Sequence, residues 1–318
     1  GEPIWPIVER PVLQSEVPGE KTWPTQPIPT RPEPYTQQGL EEEDLIDYTA
    51  AVRDSALKIA KRCRMGPYYI PPQPNDGTAK SGLACAWYAP GASGGVNIDG
   101  GASVDPETGM MYVASLFSLS TTTLQKDPCS EFRYSSPRDN CGKLGALPPP
   151  PGYQRSPELA EGSGFERRGN FSRIPIGNNQ FVSILKPKEA GGITAYDMKT
   201  GTKRWWSPNG GFLPAPKADT GLFAGVNILP MPGPGQAQVI TTRSLMIYGT
   251  GRQGLGGGQG QARLYAVDKA TGKQVGAVRI PSRTTAVPMT FMHEGKQYIV
   301  FATGQGRSTS LVALTLPR

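Results

Sequence analysis

One short pattern recurs along this chain, and it constrains the fold more than any other feature. Its fullest copy is Ala195-x-Asp197-x-x-x-Gly201-x-x-x-Trp205. Its closing half stands at the start, Gly1-Glu2-Pro3-Ile4-Trp5, with glycine and tryptophan again four apart. A degraded copy runs Ala266-x-Asp268-x-x-x-Gly272, with Gly276 where the tryptophan belongs, and Asp105-Pro-Glu-Thr-Gly109 is a partial one. Internal repetition of this kind means stacked copies of one supersecondary unit. The residues supply the logic of that unit. Ala-x-Asp ends a strand in an acidic turn, and Lys-Thr-Gly or Ala-Thr-Gly closes a hairpin in which glycine takes a positive φ. The returning strand then carries an indole that can pack between neighbouring units. A chain that opens partway through one copy is expected to belong to a larger assembly.

The stretches between the copies read as short strands: 83–87, 101–105, 110–116, 181–185, 193–197, 203–206, 238–242, 245–248, 263–268, 277–280, 289–292, 297–302 and 311–316. This spacing suits the four-stranded antiparallel blades of a β-propeller. Glycine (40) and proline (33) are abundant in the 318 residues, but they punctuate apolar strands and form no tract of their own. The fold class is therefore all-β, made of propeller blades with one short helix and long loop insertions. The helix is predicted over 50–64, with Thr49 as its cap, Val52, Ala56, Ile59, Ala60 and Cys63 on one face, and Gly66-Pro67 as its stop. It lies within a Pro-rich excursion, residues 6–82, whose prolines at 24, 27, 29, 32 and 34 forbid a central strand. A second long insertion, 119–180, has little periodicity, and insertions of that length are usually lids, partner loops or disordered segments. Three or four blades cannot close a ring, and their open edges need cover from further blades.

Several blocks in order carry a family resemblance: Gly1-Glu-Pro-Ile-Trp-Pro-Ile7, Trp23-Pro-Thr-Gln-Pro-Ile-Pro-Thr30, Asp44-Leu-Ile-Asp-Tyr-Thr49 and Gly100-Gly-Ala-Ser-Val-Asp-Pro-Glu-Thr-Gly109 come first. Gly192-Ile-Thr-Ala-Tyr-Asp197, Ala286-Val-Pro-Met-Thr290 and Gly295-Lys-Gln-Tyr-Ile-Val300 follow. The series resembles the C-terminal half of the eight-bladed quinoprotein dehydrogenases of the glucose and alcohol type, which use pyrroloquinoline quinone (PQQ). The resemblance implies oxidation of a sugar or alcohol hydroxyl by hydride transfer to the quinone, a bound Ca²⁺ that polarises it, and electrons passed to a membrane quinone or a cytochrome. It implies a periplasmic or extracellular setting, with the N-terminal blades, which bind most of the PQQ and Ca²⁺, supplied by a companion polypeptide, by the other piece of a cleaved precursor, or by the remainder of a longer protein of which this chain is a part. The family's catalytic aspartate and lysine match no residue of this chain, so no catalytic residue is assigned here. A Gly-Gly-x-Asn-Trp-type turn of that family faces the quinone. Its counterpart is Gly94-Gly-Val-Asn97-Ile98-Asp99-Gly-Gly101, with Ile98 at the aromatic position. Asn97, whose amide can donate to a quinone or carboxylate oxygen, and Asp99 are the candidate cofactor contacts. A turn-forming asparagine is the alternative.

Cys129 and Cys141 bracket a short polar loop, and Cys63 and Cys85 bracket Pro-rich chain. Two disulfides, Cys63–Cys85 and Cys129–Cys141, are expected, and they suit the oxidising compartment that the resemblance implies. Four buried thiols are the alternative. The acidic run Glu41–Asp44 reads as a solvated turn, and no metal ligand set is assigned. Net charge is +7, but the basic residues are scattered, whereas nucleic-acid binding needs a concentrated stripe with aromatic platforms. No apolar run is long enough to span a bilayer. Gly249-Thr-Gly251-Arg-Gln-Gly254 spells a dinucleotide fingerprint, yet a strand pattern follows where that motif requires a helix. The lone His293 reads as an exposed hairpin residue. A second functional reading is a non-catalytic propeller, a structural or interaction subunit of an extracellular complex, and Ile98 and Gly276 at tryptophan positions favour it.

Overall fold

The structure is a computed structural model. It describes residues 1–91, 94–96, 101–131, 133–135, 140–154, 172–177, 180–189, 191–218, 221–232, 237–250, 262–304 and 308–316. The first half holds β1 (Ile7–Pro11), β2 (Thr25–Pro29), α1 (Ala50–Ala60), β3 (Gln73–Pro74), β4 (Ala86–Tyr88), β5 (Gly95–Val96), β6 (Ala102–Asp105), β7 (Met110–Leu116), β8 (Ser120–Lys126) and β9 (Tyr134–Ser135). The second holds β10 (Arg173–Gly177), β11 (Gln180–Ser183), β12 (Gly192–Asp197), β13 (Thr202–Ser207), β14 (Phe212–Leu213), β15 (Met231–Pro232), β16 (Val239–Thr241), β17 (Leu245–Gly249), β18 (Arg263–Asp268), β19 (Gln274–Arg279), β20 (Met289–His293), β21 (Lys296–Thr303) and β22 (Ser310–Thr315).

Three antiparallel sheets are the blades. The first runs β13-β12-β7, with β5 and β6 both paired to β7; the second runs β16-β17-β18-β19; the third runs β20-β21-β22. Alternation along each strand feeds two cores at once. In the second blade Met246, Tyr248 and Val267 turn to the first blade, joining Tyr112, Ala114, Ile193 and Ala195. Ile247 and Leu264 turn the other way, to Phe301 of the third blade. The first two blades approach through β6 and β16, where the Ser103 and Thr241 hydroxyls lie 2.9 Å apart.

The repeated pattern is the joint between units. In all three Asp-to-Gly turns the glycine N–H donates to the aspartate carbonyl, at 2.9 Å for Gly109, 2.8 Å for Gly201 and 2.9 Å for Gly272. The aspartate carboxylates accept further bonds inside the turns, from Glu107 N–H (3.2 Å), Lys199 N–H (2.9 Å) and Thr271 N–H (2.9 Å). Positive φ values of 66° at Gly201 and 73° at Gly272 require glycine. A second constraint falls on the same residues. A β-carbon at Gly201 would stand 2.8 Å from the Trp5 ring, and one at Gly272 would stand 2.6 Å from the Trp205 ring. Each indole thus lies flat on the bare turn of the following unit, and the Trp205 N–H donates to Lys269 O at 3.2 Å. At Gly276 a β-carbon would meet nothing within 4 Å, so the degraded copy lacks both the indole and its contact.

The helix is shorter than its apolar face predicts. Thr49 caps it, accepting from Val52 N–H, but Lys61 is already its C-cap. Beyond it Arg64 is drawn into a bridge with Ala86, donating to Cys85 O at 2.7 Å, and Cys63 is bonded to Cys85. The second disulfide, Cys129–Cys141, is also present. Val52, Ala56 and Ala60 pack with Trp87, Ile184 and Phe223 into a core separate from the blades. Both long insertions contain strand. The Pro-rich stretch contains the hairpin β1–β2, in which Pro27 pairs with Glu9 and Pro29 with Ile7; a two-stranded ribbon has only edge strands, where proline is tolerated. The insertion 119–180 contains β8, a seven-residue strand of Ser, Thr, Leu, Gln and Lys that is half-buried along nearly its whole length.

Candidate functional site

The tight turns put all three Asp-to-Gly joints at one end of the blades. The opposite end is where β5 begins, β7 stops and β12 starts. There Val96 pairs with Ser115 and Ala102 with Val113, on either side of the single residue Ala114. Gly101 O accepts from Ala114 N–H at 2.6 Å. Asn97 and Asp99 lie outside the described residues.

Bare backbone lies at this end of the blade. A β-carbon at Gly94 would stand 3.0 Å from the Ser118 hydroxyl, and one at Gly191 would stand 2.8 Å from Phe117 N. At Gly192 it would crowd the Trp206 indole nitrogen and Ser207 O. Two polar atoms here are buried without a partner among the described residues, the Ser118 hydroxyl and the Trp206 indole N–H. A buried donor left unpaired costs about 1 to 3 kcal/mol, so orphaned donors beside glycine backbone suit an oxygen-rich ligand. The neighbouring framework is firmly tied. Asn209 donates to Ser115 O at 3.3 Å, Ser115 donates to Gly192 O at 3.4 Å, and Gly210 N–H donates to the Tyr248 hydroxyl at 3.3 Å. Burial pushes the Tyr248 phenol up to about 12, so it stays protonated, a neutral donor and acceptor at physiological pH.

The other sequence candidates sit elsewhere. His293 ends β20 at a hairpin tip, 66% exposed, with Glu294 at 3.9 Å as its charged neighbour. Gly249 ends β17, and the next described strand is β18, tied back by Thr250 N–H to Arg263 O at 2.9 Å. Glu42–Asp44 is a 3-10 turn closed by Asp44, which accepts from Glu41 N–H at 2.9 Å and pairs with Lys188. No group of three or more His, Cys, Asp and Glu that could hold a metal occurs among the described residues, so no role for calcium is derived for these residues. No helix among them is long and apolar enough to cross a membrane.

Indoles seat on the Gly201 and Gly272 turns, and the sequence matches one family along almost its whole length. The profile "PQQ: Glucose/ethanol/alcohol dehydrogenase, beta-propeller domain" covers residues 1–299. The chain belongs to this family. Among its relatives, a probable quinate dehydrogenase (quinone) of Xanthomonas campestris pv. juglandis is 26% identical over all of this chain and 37% of that protein. The quinate/shikimate dehydrogenase (quinone) of Acinetobacter baylyi is 24% identical over 97% of this chain and 34% of its own length. The glycerol dehydrogenase large subunit of Gluconobacter oxydans is 25% identical over 96% of this chain and 38% of its own. The chain thus spans little more than a third of the length of these relatives. The family's PQQ fits what the loop end offers: unpaired donors and glycine backbone, the surroundings that carboxylate and carbonyl oxygens require.

Proposed function

We propose that this chain forms blades of a PQQ-dependent dehydrogenase that oxidises a hydroxyl of a polyol or sugar. The remaining blades, including the catalytic base and the Ca²⁺ ligands, come from further polypeptide. The observation that supports this reading is the pair of orphaned donors, Ser118 and Trp206, beside bare backbone at Gly94, Gly191 and Gly192. PQQ, when bound, supplies the two-electron acceptor. The chain's own part would be to orient it: the bare backbone at Gly94, Gly191 and Gly192 would let it approach closely, the Ser118 and Trp206 donors would meet its oxygens, and Asn97 and Asp99 would be its side-chain contacts. Electrons leave to a quinone or a cytochrome. The two disulfides favour an oxidising compartment, periplasmic or extracellular. The exposed apolar side chains Met289, Phe291, Met292 and Leu311 on the third blade favour cover by a further blade.

The test is reconstitution of the complete protein with PQQ and Ca²⁺, scored by dye reduction with quinate, glycerol and glucose. Asn97→Ala should lower PQQ affinity about tenfold or more, the range of a lost hydrogen bond to a charged group. Absence of PQQ binding in the intact protein would sink the proposal. It would leave the second reading, a non-catalytic propeller, which the undocked Gly276 position favours.

A further inference from the structure

A short loop beside the candidate site presents two phenols in a fixed pose. Its start is latched: Gly66 and Leu40 exchange both backbone bonds, at 2.9 and 3.0 Å. Gly39 lies so close that a β-carbon there would stand 2.6 Å from Gly66 O. Its end is anchored by Ile70, which is 5% exposed. Between these points Tyr68 and Tyr69 are each 44% exposed. Their rings meet edge-on, with centroids 4.5 Å apart at 63°. Tyr69 has a φ of 63°, a left-handed conformation that costs a residue bearing a β-carbon about 1 to 2 kcal/mol. Strain of this kind is retained where the surroundings over-determine it, and it gathers at ligand sites.

A third phenol links the pair to the site. The Tyr35 hydroxyl faces Val96 N–H and lies 3.9 Å from where a β-carbon of Gly95 would be. It therefore lies against β5, two residues before Asn97 in sequence. Burial, and then the charge of the Tyr68 phenol, push the Tyr35 phenol up, and the Leu40–Gly66 latch ties the Tyr68 loop to the segment that carries Tyr35. The exposed pair and the Tyr35 phenol at β5 thus lie on segments latched to each other. Trp23, 73% exposed, has no comparable support.

We propose that Tyr68 and Tyr69, backed by Tyr35, form a stacking platform for the ring of a cyclic polyol substrate. This rests on the reading of the chain as part of an alcohol-oxidising enzyme. A saturated carbocycle has an apolar C–H face and a rim of hydroxyls. A phenol offers the matching pair, an apolar face with a polar tip, and sites of this kind combine aromatic walls with a few fixed polar groups. An open-chain polyol has no such face and gains little from the platform.

The experiment compares quinate with glycerol in the complete, PQQ- and Ca²⁺-loaded protein and in its Tyr68→Leu and Tyr68→Phe variants. Tyr68→Leu should raise KM for quinate about three- to tenfold, the scale of one aromatic contact. It should leave kcat and the glycerol KM nearly unchanged, and Tyr68→Phe should restore most of the loss. A second readout needs no cofactor: saturation-transfer NMR of quinate with the PQQ-free protein, where the ring protons should be saturated in the wild type and not in Tyr68→Leu. Equal KM changes for both polyols, or an NMR signal that survives Tyr68→Leu, would overturn the platform. If the loaded wild type oxidises no alcohol, the enzymatic reading falls, and the NMR comparison still decides whether the tyrosines hold the ring.

Discussion

The two ends of the blades are built on different rules. At one end, Asp105–Gly109, Asp197–Gly201 and Asp268–Gly272 close in the same five-residue turn, and two of those glycines carry an indole from the unit before. At the other end β12 follows β7 only after residues 117–191 and β18 follows β17 only after 250–262, and the two sequences share no motif. There glycines lie beside unpaired donors. The turn end fixes how blades stack, and the loop end is free to differ between proteins that share that stacking. Loops carried on a rigid scaffold are where binding residues usually reside.

The sharpest way to break this contrast is at the docked indole. Trp205→Ala should cost about 4 kcal/mol in urea denaturation, as large-to-small core changes do. Gly272→Ala should cost about 2 to 4 kcal/mol, from a positive φ and an overpacked contact. The two act on one contact, so the double variant should lose less than their sum. Gly276→Ala, where no atom waits within 4 Å, should be neutral or slightly stabilising. Equal losses at Gly272 and Gly276 would show that the turn end gains nothing from docking.

Next is the charge pair that joins the first two blades. Lys269 Nζ lies 2.6 Å from the Asp105 carboxylate, with side chains 11% and 6% exposed. Breaking such a pair from one side leaves a buried charge, and Lys269→Met should cost about 3 kcal/mol. The Lys269 ammonium, then the Thr108 hydroxyl, hold the Asp105 carboxyl below its usual range. The folded state therefore takes up that proton less readily than the unfolded chain. The stabilisation is complete above the unfolded value of about 3.9 and is lost as pH falls through the lower folded value. Stability curves of wild type and Lys269→Met should accordingly converge in acid; a gap that stays constant below pH 4 would argue against the ion pair.

How far the sequence could be read follows the same division. The turn end is legible because aspartate and glycine at fixed spacing are dictated by local backbone geometry. The glycine that a given tryptophan seats on is a tertiary fact, and nothing near Trp5 announces Gly201. β8 escapes a periodicity reading because its threonines favour extended chain without alternating apolar and polar. β1 escapes because all five of its residues are exposed. The helix is over-read by four residues because Cys63 continues its apolar face, while the Cys85 disulfide and the Arg64 bridge to Ala86 pull the chain away. Asn97 was reached by resemblance. The orphaned donors of Ser118 and Trp206 left no trace in sequence, since only the fold shows that they lack partners.

Disulfides test the loop end on stability. Cys63–Cys85 and Cys129–Cys141 enclose separations of 22 and 12 residues, and a loop of that size is worth about 2 to 3 kcal/mol. Replacing Cys63 and Cys85 together by serine should lower the melting temperature and loosen the α1 core, read as faster amide exchange at Val52 and Ala56. The three blade sheets should keep their protection. Uniform loss of protection across the chain would mean that the two cores do not unfold separately.

The smallest expected change is at Tyr69, and it separates a strained ligand residue from a structural one. Tyr69→Gly relieves about 1 kcal/mol of left-handed strain, and glycine's extra freedom in the unfolded chain takes back about 0.5 to 1 kcal/mol. The ring itself is half in solvent and gives up little burial. The terms nearly cancel, so the midpoint in urea should hardly move. Gly272→Ala, a change of one methyl at the other end, should shift it severalfold more. A large loss at Tyr69 would make that ring a pillar of the loop, and its exposure would then need another reason than a ligand. An unmoved midpoint together with weakened quinate binding would show strain held at the loop end for binding, while the turn end spends its fixed geometry on stability.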